Sequence, residues 1–295
     1  MSVDMMRDIS FELTDNPSKE VCNTIEHGLK DYNSLYVEDE NHRVLNVVCR
    51  KGKDGEIIGG ILGGSYWHNM YIRRFWLHDD YRRLGIGGAA LRLAESKAIE
   101  RECLYSRFET DIPSALMFYM EQGYSIKFEL EDFPIGGISF YMEKALTQEN
   151  LPPLREVTGV EFELQEEPDA VTEKLIEDGL TGFLAADVGE DSETKLTVVC
   201  RDGDTIIGGM TGWTSYGWMG IKFFWIDEKY RKRGIGGKII AMAEAESIER
   251  GCIHAFVNTH DFQAPGFYKR MGYRVHSELN DVPPGHTGYF MVKDL

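Results

Sequence analysis

The chain has 295 residues, of which 42% are hydrophobic and 12% aromatic, and its formal charge is -17. This composition can fill the cores of two globular domains, and no apolar run reaches the roughly 20 residues that a membrane span needs. The acidity disfavours nucleic-acid and anionic-membrane partners and favours cationic ligands, although solubility alone explains it equally well.

An internal repeat organises the chain. Tyr81–Gly88 reads YRRLGIGG, and Tyr230–Gly237, 149 positions later, reads YRKRGIGG. This period exceeds the roughly 20 to 50 residues of a solenoid unit and matches an ordinary globular domain. We therefore predict two complete domains, residues 1–147 and 156–295. The acidic stretch Thr147 to Glu156, which contains two prolines, is the predicted linker.

Each repeat predicts the same order of elements. An amphipathic segment comes first, then a β-branched strand, a turn, a strand ending in Gly-Gly, an aromatic strand and a glycine loop followed by a helical pattern. The paired segments are Ser18–Leu29 and Asp169–Leu180, Val44–Cys49 and Leu196–Cys200, and Tyr71–Leu77 and Ile221–Ile226. This order predicts an α+β fold.

The glycine loop between strand and helix is a predicted anion site. Glycines let a ligand approach the backbone, successive N–H groups converge there, and the helix N-terminus adds positive partial charge. A dinucleotide site is disfavoured because the loop comes late in each repeat and no G-x-G-x-x-G is completed. The residues predicted to hold a pyrophosphate are Arg82, Arg83, Gly85, Ile86, Gly87 and Gly88, and Arg231, Lys232, Arg233, Gly234, Ile235, Gly236 and Gly237.

A second block follows the loop in both repeats. Ala115–Tyr124 and Ala264–Tyr273 both read Ala-x-x-Phe-Tyr-x-x-x-Gly-Tyr, and Arg82–Gly87 and Arg231–Gly236 both read Arg-x-x-Gly-x-Gly. Together these motifs resemble the signature of the GNAT superfamily of acetyl-coenzyme A-dependent N-acetyltransferases, over most of both repeats. The resemblance implies two tandem GNAT-like domains, each a mixed, mostly antiparallel twisted sheet flanked by helices.

The resemblance also implies acetyl-CoA as the cofactor, held in a slot where two central strands splay apart. Backbone N–H groups of the slot strands would stabilise the developing oxyanion. Tyr119 and Tyr268 align with the tyrosine that protonates the leaving thiolate, since a phenol with a pKa of about 10 keeps its proton at neutral pH; packing on the sheet is the alternative role. The slot residues implied are Phe75, Trp76, Leu77, Phe224, Trp225, Ile226 and Asn258.

The repeats differ at the end of the strand before this second block. The second repeat has Asn258, which resembles the usual family form, whereas the first has Glu109. We therefore expect the first repeat to have diverged in chemistry or substrate. Glu109, Asp111, His260 and Asp261 lie near the predicted slot, but the general base stays open because a bound water could carry the proton.

The expected function is transfer of acetyl to a primary amine by direct attack on the thioester. The acidity favours a small cationic acceptor, such as a polyamine or an aminoglycoside-like compound, and a protein amine is the alternative. A different hypothesis makes one repeat a non-catalytic acyl-CoA sensor or a dimerisation scaffold. The duplication also allows a homodimer or a pseudo-dimer within one chain. Residues 132–134 and 281–286 are the predicted rim of an acceptor pocket.

Cysteine usage and the first residues bear on location. Cys103 and Cys252 are repeat equivalents, as are Cys49 and Cys200, and single cysteines in apolar segments are typical of small core residues rather than disulfides. No paired CxxC spacing indicates zinc, so no metal is expected. The acidic start of the chain has no hydrophobic signal segment, which predicts a cytoplasmic protein.

Overall fold

The computed structural model describes residues 8–38, 41–151, 157–167, 169–188 and 193–295, with side chains for all of them except 184–188. The first elements are β1 (Ile9–Thr14) and α1 (Lys19–Asn33). They are followed by β2 (Arg43–Val44), β3 (Asn46–Lys51), β4 (Ile57–Tyr66), β5 (Asn69–Leu77), α2 (Ile86–Glu100), β6 (Tyr105–Thr110), α3 (Pro113–Glu121), β7 (Ser125–Glu131) and β8 (Ile138–Ala145). The second repeat contributes β9 (Val160–Gln165), α4 (Ala170–Val188), β10 (Thr194–Asp202), β11 (Thr205–Ser215), β12 (Trp218–Ile226), α5 (Ile235–Glu249), β13 (His254–His260), α6 (Pro265–Arg270), β14 (Arg274–Asn280) and β15 (Thr287–Asp294).

These elements form two compact units, each built on one sheet. Unit 1 comprises residues 1–38 and 191–295, and unit 2 comprises residues 39–190. The sheet of unit 1 has the order β1-β10-β11-β12-β13-β15-β14, and that of unit 2 has the order β7-β8-β6-β5-β4-β3-β9, with β2 beside β4. Among the described strands, β12 with β13 and β5 with β6 are the parallel pairs, and the other pairs are antiparallel. This confirms the predicted α+β fold with mixed, mostly antiparallel sheets flanked by helices.

The compact units differ from the predicted domains 1–147 and 156–295. β1, from the first repeat, pairs antiparallel with β10 in unit 1, and β9, from the second repeat, pairs with β3 in unit 2. α1 packs on β11 and β12, and α4 packs on β4 and β5. Each repeat thus gives its first strand and helix to the unit that holds the rest of the other repeat. A repeat in the sequence shows that a domain was duplicated, but it does not show which sheet each first strand joins. Because β1 and β9 are equivalent, either strand could complete either sheet.

Apolar positions at helical spacing fix the helix behind each glycine loop. α2 buries Ile86, Ala90, Leu91, Ala94 and Ala98 against the sheet of unit 2, and α5 buries Ile235, Ile239, Ile240 and Ala243 against that of unit 1. Cys49, Cys103, Cys200 and Cys252 are buried and none of the four is in a disulfide, which confirms them as core residues. Of the predicted linker, residues 147–151 are described and the prolines lie outside the described residues.

No helix in the described part of the chain is long and apolar enough to cross a membrane.

Candidate active site

A slot opens in each sheet where the two parallel strands stop pairing. In unit 2, β5 and β6 pair over Asn69–Tyr71, yet they continue to Leu77 and Thr110. In unit 1, β12 and β13 pair over Trp218–Ile221 and then continue separately. None of the described strands pairs with the separated segments on that side, so their backbone groups can bond a ligand. The predicted slot residues of both repeats lie in these segments.

The glycine loop that follows each slot strand has a left-handed backbone at alternate residues. Arg83 and Gly85 have φ of 62° and 83°, and Lys232 and Gly234 have φ of 60° and 81°. Such alternation orients successive N–H groups toward one point, as in backbone anion sites. Gly85 and Gly234 are the N-cap residues of α2 and α5, and no side chain caps either helix. The first N–H groups of both helices are therefore available to a ligand.

The first arginine of the loop in unit 2 is held by three groups. Arg82 Nε donates to the Leu77 carbonyl at 2.9 Å, and Arg82 Nη2 is 2.9 Å from Asp79 Oδ1. The guanidinium carbon lies 4.3 Å from the centroid of the Phe183 ring. Because Phe183 belongs to α4, an aromatic residue of the second repeat orders a cationic residue of the first repeat's loop.

The reciprocal arrangement exists in unit 1. Arg231 Nε donates to the Ile226 carbonyl at 2.9 Å, and its guanidinium carbon lies 4.8 Å from the centroid of the Tyr32 ring, on α1. Tyr32 and Phe183 are equivalent positions of the two first helices. Each loop arginine is thus covered by a ring that comes from the other repeat.

The same two helices also seat the slot tryptophans. A Cβ atom on Gly179 of α4 would lie 2.4 Å from Cε2 of Trp76, and a Cβ atom on Gly28 of α1 would lie 2.3 Å from Cε2 of Trp225. Carbon atoms do not approach that closely, so both positions require glycine for the indole to lie against the helix. Each slot is completed by the exchanged helix.

A cavity of about 950 Å³ occupies the slot of unit 2. Its lining includes nine of the predicted residues: Phe75, Trp76, Leu77, Arg82, Arg83, Gly85, Gly87, Gly88 and Tyr119. Leu180 and Phe183 from α4 form part of the wall, as do Phe118 of α3 and Gln122, the C-cap residue of α3. The slot strand, the glycine loop and the tyrosine therefore open into one space.

Two of the predicted loop residues have side chains that are buried in the cores. The side chains of Ile86 and Ile235 are 1% and 5% exposed and belong to the cores, so only their backbone N–H groups could contact a pyrophosphate. Gly236 has a different reason for being glycine, because a Cβ atom there would lie 3.3 Å from both Phe224 and Phe267. Its lack of a side chain serves packing beneath the loop.

Tyr119 and Tyr268 lie at equivalent places beside the slots. The Tyr119 ring is 4.4 Å from that of Phe108 on β6, and the Tyr268 ring is 6.3 Å from that of Phe224 on β12. Both tyrosines are buried, and this burial raises the pKa of each phenol well above its usual value. Both hydroxyls are therefore protonated at neutral pH.

Carboxylates occupy the other face of the splayed strand in unit 2. Phe108 faces Tyr119, so strand alternation puts Glu109 on the opposite face, where Tyr141 is its cross-strand partner. Glu109 reaches solvent but is surrounded by protein, and this desolvation, with the nearby Asp111 carboxylate, raises the pKa of Glu109 to about 7. Burial also raises the pKa of Asp111, against a hydrogen bond from Ser139.

The corresponding loop of unit 1 holds histidines. Gln263 Oε1 accepts from the backbone N–H of His260 at 3.1 Å and lies 3.2 Å from His260 Nδ1. Because a backbone N–H can only donate, the amide oxygen is identified and Nδ1 must carry the proton. Burial lowers the pKa of His260. In the predicted rim, His286 Nδ1 is 2.8 Å from Asp261 Oδ1, which places residues 281–286 beside this loop.

Sequence reasoning missed the contribution of α1 and α4. Gly28 and Gly179 are equivalent glycines inside amphipathic helices, where glycine is unfavourable without a packing reason. That signal marks a close contact but does not identify its partner. Within the described ranges, no group of histidine, cysteine and carboxylate side chains could hold a metal ion.

Comparisons with known proteins identify sequences and a structure that resemble this chain. The profile of the acetyltransferase (GNAT) family matches residues 9–124 and 154–273. Blasticidin-S acetyltransferase of Streptomyces morookaense is 41% identical over 104 residues, 35% of this chain and 76% of that protein. An acetyltransferase of Agrobacterium fabrum is 33% identical over 133 residues, 45% of this chain and 97% of that protein. The crystal structure of an Agrobacterium tumefaciens acetyltransferase covers 46% of this chain and 99% of its own, with 32% identity and a TM-score of 0.43.

Proposed function

Because this chain belongs to the GNAT family of acetyltransferases and is therefore an N-acetyltransferase that uses acetyl-CoA, we propose that unit 2 acetylates the primary amine of a small cationic molecule. The observation that carries the proposal is the cavity of about 950 Å³, which joins the glycine loop to Tyr119. Phe108 of β6 packs on this tyrosine, and Glu109 is the next residue of the same strand.

The residues of the cavity fit acetyl-CoA. Arg83 and the N–H groups around Gly85 supply positive charge for the two phosphates, and Arg82 stays fixed on the Leu77 carbonyl with further donors to offer. The apolar slot strand accommodates an uncharged arm. Bound acetyl-CoA supplies an acetyl group activated as a thioester.

Tyr119 is the proposed acid. Its raised pKa keeps the proton on the hydroxyl at neutral pH, and Tyr119 is part of the wall of the cavity. The tyrosine donates toward the leaving sulfur as negative charge develops there. Phe108 and Tyr124, which contact its ring, hold it in place.

Glu109 is the proposed base. An alkylammonium must lose a proton before its nitrogen can attack, and a base works best when its pKa lies near the operating pH. The pKa of Glu109, raised to about 7, meets this condition. The carboxylate accepts the proton on the face of the strand away from Tyr119, so the acid and the base act from opposite sides of the slot.

A cationic acceptor suits this face because Glu109 and Asp111 place two carboxyl groups together. The chain's charge of -17 adds a long-range attraction for cations. The similarity to a relative whose name gives blasticidin S as its substrate supports a small-molecule acceptor over a protein amine. Asn258, at the position equivalent to Glu109, offers no such charge in unit 1.

The test is the pH dependence of spermidine acetylation, followed by release of free thiol. In the unmodified enzyme, kcat/KM should rise with pH and level off above about pH 7, as Glu109 ionises. Glu109→Gln should lose about 100-fold or more in kcat and lose the inflection near pH 7, with the affinity for acetyl-CoA unchanged.

Glu131→Gln is the matched control, because Glu131 is exposed at the end of β7, and it should keep the unmodified profile. A Glu109→Gln variant that retains full activity and the same profile would contradict the assigned base. Calorimetry with acetyl-CoA addresses the sensor hypothesis: a unit that binds acetyl-CoA but transfers no acetyl to any amine would support sensing.

A further inference from the structure

The acceptor face of each unit is the face of the splayed strands opposite Tyr119 or Tyr268. Equivalent positions on the two acceptor faces hold side chains of different charge and polarity. On the unit 2 face, Arg107 donates to Glu143 Oε2 at 2.8 Å and to Asn69 Oδ1 at 2.6 Å. Lys127 Nζ is 3.2 Å from Glu143 Oε1, which extends the network. This face is therefore lined by ionised groups, with Glu109 on the same side of β6.

In unit 1 the matching positions carry three rings and one aliphatic side chain. Phe256 replaces the arginine, Trp218 the asparagine, Val292 the glutamate and His276 the lysine. The Phe256 ring stacks on that of Phe290 with centroids 5.2 Å apart and planes 11° from parallel, and the Trp213 ring meets Phe256 at 5.4 Å, edge to face. Rings thus occupy most of the positions of the charged network, and the His254 ring, whose Nδ1 is 3.0 Å from Asp294 Oδ1, lies against that of Trp218.

The two units also differ in which strand of the hairpin carries an aromatic ring and which carries the glycine beneath it. In unit 1, Trp213 lies over Gly220, where a Cβ atom would be 2.5 Å from the indole. In unit 2 the same cross-strand pair is reversed, because Tyr71 lies over Gly64, where a Cβ atom would be 2.8 Å from the phenol oxygen. Each hairpin thus presents one ring on one glycine, but from opposite strands and with different polarity.

We propose that unit 1 is a second acceptor site, which takes an uncharged aromatic amine while unit 2 takes a cationic one. The proposal rests on the transfer function assigned above. Stacked rings favour a flat aromatic body, and Phe256 and Trp213 are both only half-buried. Positions 256, 258, 290 and 292 hold no carboxylate to attract an ammonium group.

The chemistry is consistent with that environment. The nitrogen of an aromatic amine is largely neutral near pH 7, so no carboxylate is needed to deprotonate it before attack. In the transfer, a nitrogen–carbon bond to the acetyl group forms and the carbon–sulfur bond breaks. The surplus amine proton leaves to water, and the sulfur takes the proton of Tyr268, which solvent replaces.

The experiment uses the full chain and two probes, 5-aminoindole and spermidine, with binding followed by calorimetry and transfer by mass spectrometry of the acetylated amines. Trp213→Ala should raise the Kd for 5-aminoindole at least 10-fold and leave kcat/KM for spermidine within twofold. Trp213→Phe keeps a ring and should restore binding to within threefold, which controls for damage to the fold. Tyr71→Ala, the matched change in unit 2, should leave 5-aminoindole binding unchanged.

The proposal is overturned if 5-aminoindole does not bind, if Trp213→Ala leaves its binding intact, or if Tyr71→Ala weakens it as much. Binding that depends on Trp213, without acetylation of either amine, would support the second site and contradict the proposed transfer function. Acetylation of 5-aminoindole that Trp213→Ala reduces, while spermidine acetylation persists, would support both.

Discussion

A single added methyl group can test whether α4, a helix of the second repeat, packs against Trp76 in the slot of unit 2, because α4 contains two glycines in different surroundings. α4 contains Gly179, where a Cβ atom would lie 2.4 Å from the Trp76 indole, and Gly182, where no described atom lies within 4 Å. Both substitutions to alanine give the helix the same intrinsic gain, about 0.5–1 kcal/mol. They differ only in what the new methyl group meets.

The magnitude follows from this difference. An extra methyl group in a filled space costs about 1–3 kcal/mol, so Gly179→Ala should be less stable than Gly182→Ala by about that amount. Gly182→Ala itself should be slightly more stable than the unmodified protein. Because Trp76 lines the cavity of unit 2, Gly179→Ala should also weaken acetyl-CoA binding there, although the substitution lies in the other repeat.

Urea denaturation gives the stabilities, and calorimetry with acetyl-CoA gives the affinity. Gly28→Ala provides the reciprocal test in unit 1, where a Cβ atom would lie 2.3 Å from Trp225. If Gly179→Ala is as stable as Gly182→Ala and binds acetyl-CoA normally, α4 does not seat Trp76 and the account of the exchanged helices is wrong.

Three further predictions concern charge. Lys144 Nζ lies 2.7 Å from Glu95 Oε2, with the side chains 2% and 0% exposed, so Lys144→Met should cost about 3–5 kcal/mol in urea denaturation, and adding Glu95→Leu should recover much of the loss. Folding raises the pKa of the Glu109 carboxyl to about 7, so the protonated carboxyl stabilises the fold at low pH and this stabilisation is lost as pH rises toward 7. Between pH 4.5 and 8, the free energy of unfolding of Glu109→Gln should therefore increase relative to that of the unmodified protein. A difference between the two proteins that stays constant with pH would refute this. Finally, kcat/KM for spermidine should fall as salt rises while kcat stays constant, since screening shortens electrostatic reach to about 8 Å near physiological ionic strength; a rate indifferent to salt would show that the acidity serves solubility alone.

The sequence was sufficient for the parts of the site that are local in the chain. The order of strand, glycine loop and helix brings Phe75, Trp76, Leu77 and five of the predicted loop residues to the wall of one cavity, because short connections join them, whereas the Ile86 side chain lies in the core. Repeat equivalence also identified the buried cysteines as core residues. Roles for individual residues stay predictions, since geometry alone does not test them.

The remaining features depend on pairings that no local pattern encodes. β1 pairs with β10 of the second repeat, and β9 pairs with β3 of the first repeat. The two repeats have equivalent hydrophobic patterns, so the sequence does not distinguish this pairing from the pairing of each strand within its own repeat. Tyr32 and Phe183 lie beyond the predicted amphipathic segments Ser18–Leu29 and Asp169–Leu180, and no local pattern marked either residue. The raised pKa of Glu109 likewise requires knowledge of its neighbours across the sheet, which only the strand register supplies.

The most direct test of the central claim, that unit 2 acetylates a cationic amine, compares the two tyrosines on one substrate. With spermidine and saturating acetyl-CoA, Tyr119→Phe keeps the buried ring but removes the donor, so kcat should fall at least 10-fold with little change in KM. Tyr268→Phe, the matched change in unit 1, should lower spermidine turnover less than twofold. If Tyr268→Phe abolishes spermidine acetylation and Tyr119→Phe leaves it intact, the reaction belongs to unit 1 and the account is contradicted.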